Sequence, residues 1–455
     1  MIDPSVFKAY DIRGEYDKNI DENFAYLLGR GYATMRIKEE GREDLTIVVA
    51  RDMRLSSPTL TPELIRGLRE TGLSVVEIGL SSTPTFYFAV ANYNYDGGII
   101  VSASHNPKQD NGFKIVRKGS VPVSGESGMY DLRDIVINQD FLPIKKLGKL
   151  SQRDGVIQDL VTSQIKEAKI DTTKIKPLKI VVDAANAMAG PDIEVMFAGL
   201  PIELIKLNFE LDGNFPAHQA DPLVDENIQP TIDAVLQHNA DLGIAPDGDG
   251  DRYFFVDNKG KIIRQEIIRG IMAQLTLRDY PGSTICYDIR PGKITLDMIL
   301  EAGGKSSVTR VGHSLIKEQM LKEDAAFGGE SSGHYFYRFN HGTFEAPVVL
   351  TLKFLIWLSE KDQPLADLIK PYQKYFHSGE INSLVENKEL IIKKLQDKYS
   401  DADQSTLDGI TITYPNYWFN VRPSNTESKL RLNLEAITPE IMVSKRDEVL
   451  AIIRG

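Results

Sequence analysis

The chain has 455 residues, of which 42% are hydrophobic and 26% are charged, a balance typical of globular enzymes. This length exceeds one ordinary core and predicts two to four domains. The net charge of -11 argues against a general role in nucleic-acid binding, so an anionic substrate would need its own local cluster of Arg and Lys. The only cysteine, Cys286, excludes an internal disulfide and predicts a buried thiol in a reducing cytoplasm.

The hydropathy of the chain predicts neither export nor insertion into a membrane. The first residues lack a basic region followed by an apolar core, so we expect no secretory signal and a cytoplasmic location. The most apolar stretch, residues 344–358, is interrupted by Glu345, Pro347 and Lys353. It is too short for a membrane span and favours a core helix.

The first 150 residues predict an α/β domain. Near its start, Arg13 stands beside Gly14 and is either a phosphate ligand or an exposed surface charge. Strands over residues 45–50 and 73–79 flank a helix that begins at Ser57. This strand-helix-strand order, with apolar runs in both strands, favours a parallel sheet.

Ser104 follows a further apolar run, residues 98–101, that continues this sheet. A buried strand that ends in small polar residues delivers a hydroxyl to a loop, which makes Ser104 a candidate nucleophile or phosphate carrier. An ordinary turn with a helix cap is the alternative, because Ser and Asn favour both.

We expect further α/β domains over residues 151–255 and 256–370, each with a strand that ends in a polar loop. Ligands of open α/β sheets lie beyond the carboxyl ends of the strands, so three such loops are suited to one composite site. A smaller α+β domain is predicted over 371–455. It has the alternating pattern of an antiparallel sheet covered on one face, and a closing helix over 439–453.

Three aspartates at alternate positions, Asp247, Asp249 and Asp251, carry the strongest single signal. The intervening glycines allow the carboxylates to converge, and such a cluster requires a hard divalent cation. An EF-hand is excluded because its sixth and twelfth positions are Arg252 and Asn258. A solvated acidic turn is the remaining alternative. Three carboxylates leave a coordination position that a phosphate oxygen on Ser104 would fill.

Two later loops are suited to a phosphorylated sugar. Residues 329–334 offer a carboxylate, hydroxyls and an imidazole for vicinal sugar hydroxyls, or else form an irregular turn. Residues 422–427 offer a guanidinium, hydroxyls and an amide for a phosphate dianion. A β-turn with a surface arginine is the alternative there.

These four loops, in this order and after the Tyr10-Asp11-Ile12-Arg13-Gly14 start, resemble the α-D-phosphohexomutase family over essentially the whole chain. That family includes phosphomannomutases, phosphoglucomutases and phosphoglucosamine mutases. The resemblance implies three similar α/β domains and a C-terminal α+β domain around a central cleft. It also implies an isomerase that interconverts hexose 6-phosphate and hexose 1-phosphate through a phosphoserine, Mg²⁺ and a hexose 1,6-bisphosphate.

The resemblance implies a role for each loop. Ser104 would carry the phosphoryl group, and its phosphate with Asp247, Asp249 and Asp251 would bind Mg²⁺. Catalytic groups are implied at Arg13, His105, Lys114, Arg252 and His313, with Lys114 and His313 as candidates for proton transfer. Substrate contacts are implied at Tyr10, Arg290, Glu330, Ser332, His334, Arg422, Ser424, Asn425 and Thr426.

Sequence details leave the sugar open between subclasses. Ser102, in the run of residues 101–104, resembles the glucosamine mutase pattern, whereas Gly250, Asn425 and residues 330–334 favour a phosphomannomutase, with or without use of glucose phosphates. Rivals from other classes are a metal-dependent sugar phosphatase and a non-catalytic sugar-phosphate sensor. We expect a monomer or dimer that binds a small hexose phosphate and neither nucleic acid nor membrane.

Overall fold

Apolar runs form strands and periodic segments form helices in a computed structural model of the chain, which describes residues 2–290, 292–361, 363–424 and 428–455. The chain divides into two units. The first comprises Met1–Ile263 with Ser332–Ala366, and the second comprises Arg264–Ser331 with Asp367–Gly455.

The first sheet has six strands in the order β1-β5-β4-β2-β3-β6. Strand β2 pairs in parallel with β3 and β4, as predicted, whereas β5 runs antiparallel to β4 and β1. The strands are β1 (Ile12–Glu15), β2 (Thr46–Arg51), β3 (Ser74–Leu80), β4 (Gly97–Val101), β5 (Asp110–Arg117) and β6 (Leu150–Gln152). The Ser104 loop therefore connects the buried strand β4 to its antiparallel neighbour.

Four helices accompany this sheet, and two of them approach each other closely. They are α1 (Glu22–Glu40), α2 (Ser57–Glu70), α3 (Thr83–Asn92) and α4 (Met129–Asn138). A Cβ at Gly29 of α1 would lie 2.4 Å from the Leu64 carbonyl, and one at Gly67 of α2 would lie 2.2 Å from the Tyr26 carbonyl. Glycine at both positions permits this close contact between α1 and α2.

The second sheet has the order β10-β9-β7-β8, with β7 parallel to β8 and β9. Strands β9 and β10 form an antiparallel hairpin in which Pro246 pairs with Tyr253. The acidic run is the loop of this hairpin. The elements are α5 (Val156–Glu167), β7 (Leu178–Asp183), α6 (Ala189–Phe197), β8 (Ile202–Leu207), α7 (Asp225–His238), β9 (Leu242–Pro246) and β10 (Tyr253–Asp257).

In the second unit, β11 lies between β12 and β13 and is parallel to both. The elements are α8 (Gln265–Asp279), β11 (Thr284–Asp288), α9 (Lys293–Glu301), β12 (Lys305–Thr309), α10 (His313–Glu323) and β13 (Phe327–Gly329). Cys286 is fully buried within β11, as predicted, and burial raises the pKa of its thiol to about 12.

The chain then contributes a hairpin and a helix to the first unit. Strands β14 (Tyr335–Phe339) and β15 (Gly342–Glu345) are antiparallel, and α11 (Pro347–Glu360) follows. The prediction of a core helix over residues 344–358 is wrong at its start, because Phe344 and Glu345 end β15. Pro347 suits the first helical turn, where its missing N–H costs no hydrogen bond. Helix α12 (Leu365–Ile369) comes next in the chain.

The C-terminal sheet is wholly antiparallel in the order β16-β20-β19-β18-β17, as the alternating pattern predicts. Leu395 and Val449, from the two helices, are buried in one cluster with the inward residues of the strands. One face of the sheet is therefore covered. The elements are β16 (Phe376–Leu384), α13 (Lys388–Lys398), β17 (Asp403–Ser405), β18 (Ile410–Thr413), β19 (Tyr417–Pro423), β20 (Lys429–Ala436) and α14 (Pro439–Arg454).

Within the described residues, no helix combines the length and the apolar character that a bilayer crossing requires.

Candidate active site

Ser104 lies in a turn between β4 and β5. Its φ of 51° is in the left-handed region, which is uncommon for a residue with a side chain. The Ser102 hydroxyl accepts a hydrogen bond from the Ser104 N–H at 3.1 Å and supports this conformation. Residues 102–109 are all described and no helix begins among them, so the helix-cap interpretation of Ser104 is wrong.

The acidic loop is buried. Asp247 and Asp249 have no exposed surface and Asp251 is 4% exposed. One carboxylate oxygen of each lies within 4.8 Å of the others. The loop folds back on itself, because an oxygen of Asp247 accepts hydrogen bonds from the N–H groups of Asp251 and Arg252, both at 3.2 Å. The predicted convergence of the carboxylates is confirmed, and the solvated-turn interpretation is wrong.

The Ser104 loop and the acidic loop are in direct contact. The Ser104 hydroxyl donates to Oδ2 of Asp247 at 2.8 Å and lies 3.1 Å from Nδ1 of His105. A Cβ at Gly248 would lie 2.4 Å from the Ser104 carbonyl oxygen. Glycine at this position is therefore what allows the hydroxyl to reach the carboxylates.

Lys114, on β5, supplies positive charge to the acidic loop. Its Nζ lies 2.5 Å from Oδ2 of both Asp249 and Asp251. Burial opposes its charge, yet these two carboxylates raise the pKa of Lys114 well above its usual value. Thr83, at the start of α3, donates its hydroxyl to the same Asp249 oxygen at 2.5 Å.

The pKa values of Asp247 and Asp251 are shifted in opposite directions because their surroundings differ. Burial, followed by the charges of Asp251 and Asp249, raises the pKa of Asp247 to about 8. Burial also opposes ionisation of Asp251, but Lys114 and then His334 hold its pKa well below the usual value. The Nε2 atom of His334 lies 3.1 Å from Asp251.

One predicted site residue from the segment after β13 thus lies against the acidic loop, and a second contacts the first. His334 contacts Asp251, and its Nδ1 lies 2.9 Å from the Ser332 hydroxyl. The Nε atom of Arg252 lies 3.4 Å from Nε2 of His334 and 3.7 Å from Asp247.

The aspartate cluster fits a hard divalent cation. Oδ1 of Asp249 is buried and accepts no hydrogen bond from any described residue. Hard cations such as Mg²⁺ prefer carboxylate oxygens, and a buried cluster of three carboxylates has an excess of negative charge for them to neutralise. The residues present therefore match the expected metal site.

Arg13, on β1, is not the exposed surface charge that one interpretation predicts. Its side chain is 19% exposed, and its Nε donates to Asp11 at 2.7 Å. Its Nη1 donates to the Ala103 carbonyl at 3.1 Å and to Asn106 at 2.5 Å. Arg13 therefore contacts the Ser104 loop directly.

His105 is neutral in this setting. Burial, followed by the charges of Arg252 and Arg13, lowers the pKa of His105 to about 2. Its Nδ1 is 3.9 Å from Asp247. The imidazole is thus available as an uncharged hydrogen-bonding group beside the Ser104 hydroxyl.

In the second unit, Arg290 and Glu330 form one ion-pair cluster around Asp288. Nη2 of Arg290 lies 3.1 Å from Glu330, and Nε donates to Asp288 at 2.6 Å. The charges of Asp288 and Glu330 raise the pKa of Arg290 despite its burial, and Glu380 adds to this effect.

Arg422 and Ser424 lie at the end of β19 in the same unit. Arg422 donates to Glu380 at 2.6 Å, and the Ser424 carbonyl accepts a hydrogen bond from Lys388 at 3.1 Å. The predicted phosphate ligands Asn425 and Thr426 lie outside the described residues.

Two further predicted site residues lie on connecting segments. Tyr10 is half-buried in the turn before β1, in the first unit. His313 is the first residue of α10, in the second unit, after Gly312 with a φ of 146°.

Sequence reasoning missed Arg54, Gln219 and Glu380, each of which bonds to a candidate site residue or its loop, and Asp52, which pairs with Arg54. Asp52 and Arg54 directly follow β2, so the carboxyl-end rule that identified Ser104 also applies to them. The pairing of Glu380 with Arg422 depends on the order of strands in the C-terminal sheet, which leaves no local signal.

Four family models match successive parts of the chain. They describe phosphoglucomutase/phosphomannomutase α/β/α domain I over residues 4–141, domain II over 159–260, domain III over 266–375 and the C-terminal domain over 380–452. The predicted fold class, three α/β domains and a C-terminal α+β domain, is confirmed.

Individual relatives match over nearly their whole length. A phosphomannomutase of Escherichia coli (strain K12) is 38% identical over 443 residues, 94% of each chain. A phosphomannomutase of Methanocaldococcus jannaschii is 37% identical over 452 residues, which cover 99% of this chain and 98% of the relative. A crystal structure of a phosphoglucomutase/phosphomannomutase family protein from Burkholderia thailandensis has a TM-score of 0.89 at 32% identity. It covers 99% of this chain and 97% of that one.

Proposed function

Because the chain belongs to the phosphoglucomutase/phosphomannomutase family and is an isomerase of the mutase type, we propose that it interconverts a hexose 6-phosphate and a hexose 1-phosphate through phospho-Ser104. The observation that carries this proposal is the 2.8 Å hydrogen bond between the Ser104 hydroxyl and Asp247 of the buried aspartate cluster. A hydroxyl that only stabilised a turn would not need to bond to a carboxylate of this buried cluster.

Asp247, Asp249 and Asp251 would hold Mg²⁺ together with a phosphate oxygen on Ser104. When bound, the cation neutralises charge on the transferring phosphoryl group. Lys114, Arg13 and Arg252 add positive charge, and His105 contributes an uncharged hydrogen-bonding group near the Ser104 oxygen.

The first transfer moves the phosphoryl group from Ser104 to the free hydroxyl of a bound hexose phosphate. The bond between phosphorus and the Ser104 oxygen breaks as the bond to the sugar oxygen forms. The sugar hydroxyl gives its proton to a base, and the Ser104 oxygen ends as a hydroxyl. Lys114 and His313 are the candidates for moving these protons.

The second transfer reverses these steps with the other phosphate of the hexose 1,6-bisphosphate. Phospho-Ser104 is thereby restored and the isomeric hexose monophosphate is released. The bisphosphate that initiates the cycle also phosphorylates Ser104 in protein that lacks the modification. Exclusion of water from the site protects the phosphoserine from hydrolysis.

Substrate recognition is assigned mainly to the loops over residues 329–334 and 422–427. Glu330 is suited to accept hydrogen bonds from vicinal sugar hydroxyls, and Ser332 and His334 supply further polar groups. Arg422 and Ser424, with Asn425 and Thr426, are suited to the phosphate that is not being transferred. Arg290 and Tyr10 complete the proposed substrate contacts.

We propose mannose phosphates, with or without glucose phosphates, as the substrates. The relatives reported above that carry an enzyme name are phosphomannomutases. The competing substrate is glucosamine phosphate, since the sequence at Ser102 resembles the pattern of glucosamine mutases. We place the enzyme in the cytoplasm as a monomer or dimer that acts without nucleic acid or membrane.

The test combines intact mass with a substrate panel. The purified protein is assayed on mannose 1-phosphate, glucose 1-phosphate and glucosamine 1-phosphate with Mg²⁺ and catalytic glucose 1,6-bisphosphate. We expect a mass increase of one phosphoryl group and turnover fastest on mannose or glucose. Release of inorganic phosphate at the turnover rate would instead identify a phosphatase. Binding without turnover on any sugar would identify a sensor.

Replacing Ser104 by Ala is expected to lower turnover by about 1,000-fold or more, because the group that is transferred loses its carrier. Ser120→Ala is the matched control. Ser120 is also fully buried in the first domain, but its hydroxyl donates to the Tyr87 carbonyl and not to the acidic loop. Normal turnover of the Ser104→Ala variant would remove Ser104 from its proposed role.

A further inference from the structure

Four backbone carbonyls of the Ser104 loop converge on one buried arginine. Arg54, in the loop after β2, has no exposed surface. Its Nη2 donates to the carbonyls of Ser104 and Asn106, both at 2.7 Å. Its Nη1 donates to the carbonyls of Pro107 and Asp110 at 2.7 and 2.9 Å. One guanidinium therefore fixes both ends of the loop.

Arg54 is itself held in place by Asp52 and Phe215. Its Nε lies 3.2 Å from Oδ2 of Asp52, whose other oxygen accepts hydrogen bonds from the Arg54 N–H at 3.0 Å and from the Ser57 hydroxyl at 2.7 Å. The ring of Phe215 lies 5.2 Å from the guanidinium carbon, within cation–π range. The guanidinium is thus a fixed reference point for the loop.

Two further carbonyls of the loop are held by other side chains. Arg13 donates to the Ala103 carbonyl at 3.1 Å, and Gln219 donates to the His105 carbonyl at 2.7 Å. Each of these residues holds one carbonyl of the loop, whereas Arg54 holds four.

We infer that Arg54 is the positioning residue of the phosphoryl carrier, an inference that rests on the proposed function of Ser104. A left-handed φ of 51° is unfavourable for serine. The hydrogen bond from Arg54 to the Ser104 carbonyl fixes the peptide that follows this residue. Loss of that bond releases the loop, and the Ser104 oxygen leaves its 2.8 Å contact with Asp247.

Only arginine can fill this position. The guanidinium presents five N–H donors in a rigid plane, and here the four on Nη1 and Nη2 reach carbonyls, while Nε lies 3.2 Å from Oδ2 of Asp52. A lysine ammonium offers three donors from a single point and cannot reach carbonyls on both sides of the loop. A neutral glutamine leaves several buried carbonyls without partners.

The test compares Arg54→Gln and Arg54→Lys with Arg36→Gln. Arg36, on α1, is an equally buried arginine, and it donates to the Asp96 carbonyl at 3.1 Å, away from the Ser104 loop. We expect Arg54→Gln to lower kcat about 100-fold while KM changes less than about threefold, because misplacing the carrier affects transfer and not binding. Arg54→Lys is expected to lose about tenfold or more in kcat. Arg36→Gln should retain wild-type kcat and KM below its Tm.

Hydrogen–deuterium exchange of peptides covering residues 102–112 supplies a readout independent of activity. Exchange should accelerate in both Arg54 variants and stay at the wild-type rate in Arg36→Gln. An absence of mutase turnover in the wild-type protein would overturn the proposed function. The exchange data would still decide the role of Arg54 in holding the loop. Wild-type kcat or unchanged exchange in the Arg54 variants would overturn the positioning role. If Arg54→Gln fails to fold, Arg54→Lys decides the question.

Discussion

The charged groups around Ser104 and those around Arg422 differ in their exposure to solvent. Lys114 and the carboxylates of Asp249 and Asp251 have side chains at most 6% exposed and contact one another at 2.5 Å. Arg422 is comparably buried at 8%, but its partner Glu380 is 28% exposed. The first cluster is a closed set of charges in the protein interior, and the second meets solvent.

This difference in exposure suits the two clusters to different roles in the reaction. Charges fixed in a buried site stabilise a reacting group without reorganisation during the reaction, which favours an effect on kcat. An arginine paired with a partly exposed carboxylate can exchange that partner for an incoming anion, which favours an effect on KM. Variants of the two clusters should therefore change different kinetic constants.

The largest expected effect follows from Asp249→Asn. This change removes one carboxylate from the cluster and one partner of Lys114, and we expect kcat to fall about 1,000-fold. Mg²⁺ affinity, measured by calorimetry, should fall about 10- to 100-fold. Asp257→Asn is the matched control, since Asp257, the last residue of β10, is also buried but accepts hydrogen bonds from the N–H groups of Lys259 and Lys261. A kcat within tenfold of wild type for Asp249→Asn would contradict the assignment.

Arg422→Gln should produce a smaller effect, and on the other kinetic constant. A charge-assisted bond to phosphate contributes about 1.5–3 kcal/mol, so KM for the hexose phosphate should rise about 10- to 100-fold with kcat within about threefold. Arg431→Gln is the control, because Arg431 lies 3.3 Å from the same Glu380 but is 31% exposed. Equal effects of the two variants on KM, or a loss confined to kcat in Arg422→Gln, would remove the distinction between the clusters.

The last expected effect lies outside the two clusters and concerns stability at the contact between α3 and α6. Burial raises the pKa of Asp192 to about 6 despite hydrogen bonds from Ser82 and Thr85. Folded protein thus keeps this proton at pH values where the unfolded chain, with a pKa near 3.8, has released it. The free energy of unfolding therefore falls as the pH rises from about 4 to about 6, by about 3 kcal/mol in total, because the unfolded chain gains by releasing a proton that the folded protein still holds.

Asp192→Asn removes this dependence. Its Tm relative to wild type should rise between pH 4 and pH 7, as measured by calorimetry at constant ionic strength. Asp233→Asn, at an exposed aspartate of α7, should show a constant Tm difference over the same range. A constant difference for Asp192→Asn as well would mean that the buried carboxyl does not titrate in this window.

The strand ends were predictable because burial and chain direction leave local signals. The apolar runs before Ser104 and Asp247 identify buried strands, and glycine between aspartates identifies a loop in which carboxylates converge. The loop contacts themselves were not predictable. Arg54 reaches four carbonyls that lie at least 50 residues away in the chain, and no periodic pattern encodes that distance.

The error at residues 344–358 has a simple physical origin. Phe344 is apolar in a strand as well as in a helix, so composition alone cannot locate the boundary. Pro347 at the first helical turn does mark it, through its preference for that position. The strand order of the C-terminal sheet was not predictable for a different reason. Strand β16 pairs with β20, which is distant in the chain, and not with β17.

The central claim is that Ser104 carries the phosphoryl group between two positions of one sugar. The direct measurement uses glucose 1,6-bisphosphate labelled with ³²P in both phosphates, followed by peptide mapping and a chase with unlabelled hexose 1-phosphate. The account predicts label on the peptide that contains Ser104, and its transfer to the sugar during the chase. Label on another residue, or its loss as inorganic phosphate without labelled sugar, would contradict it.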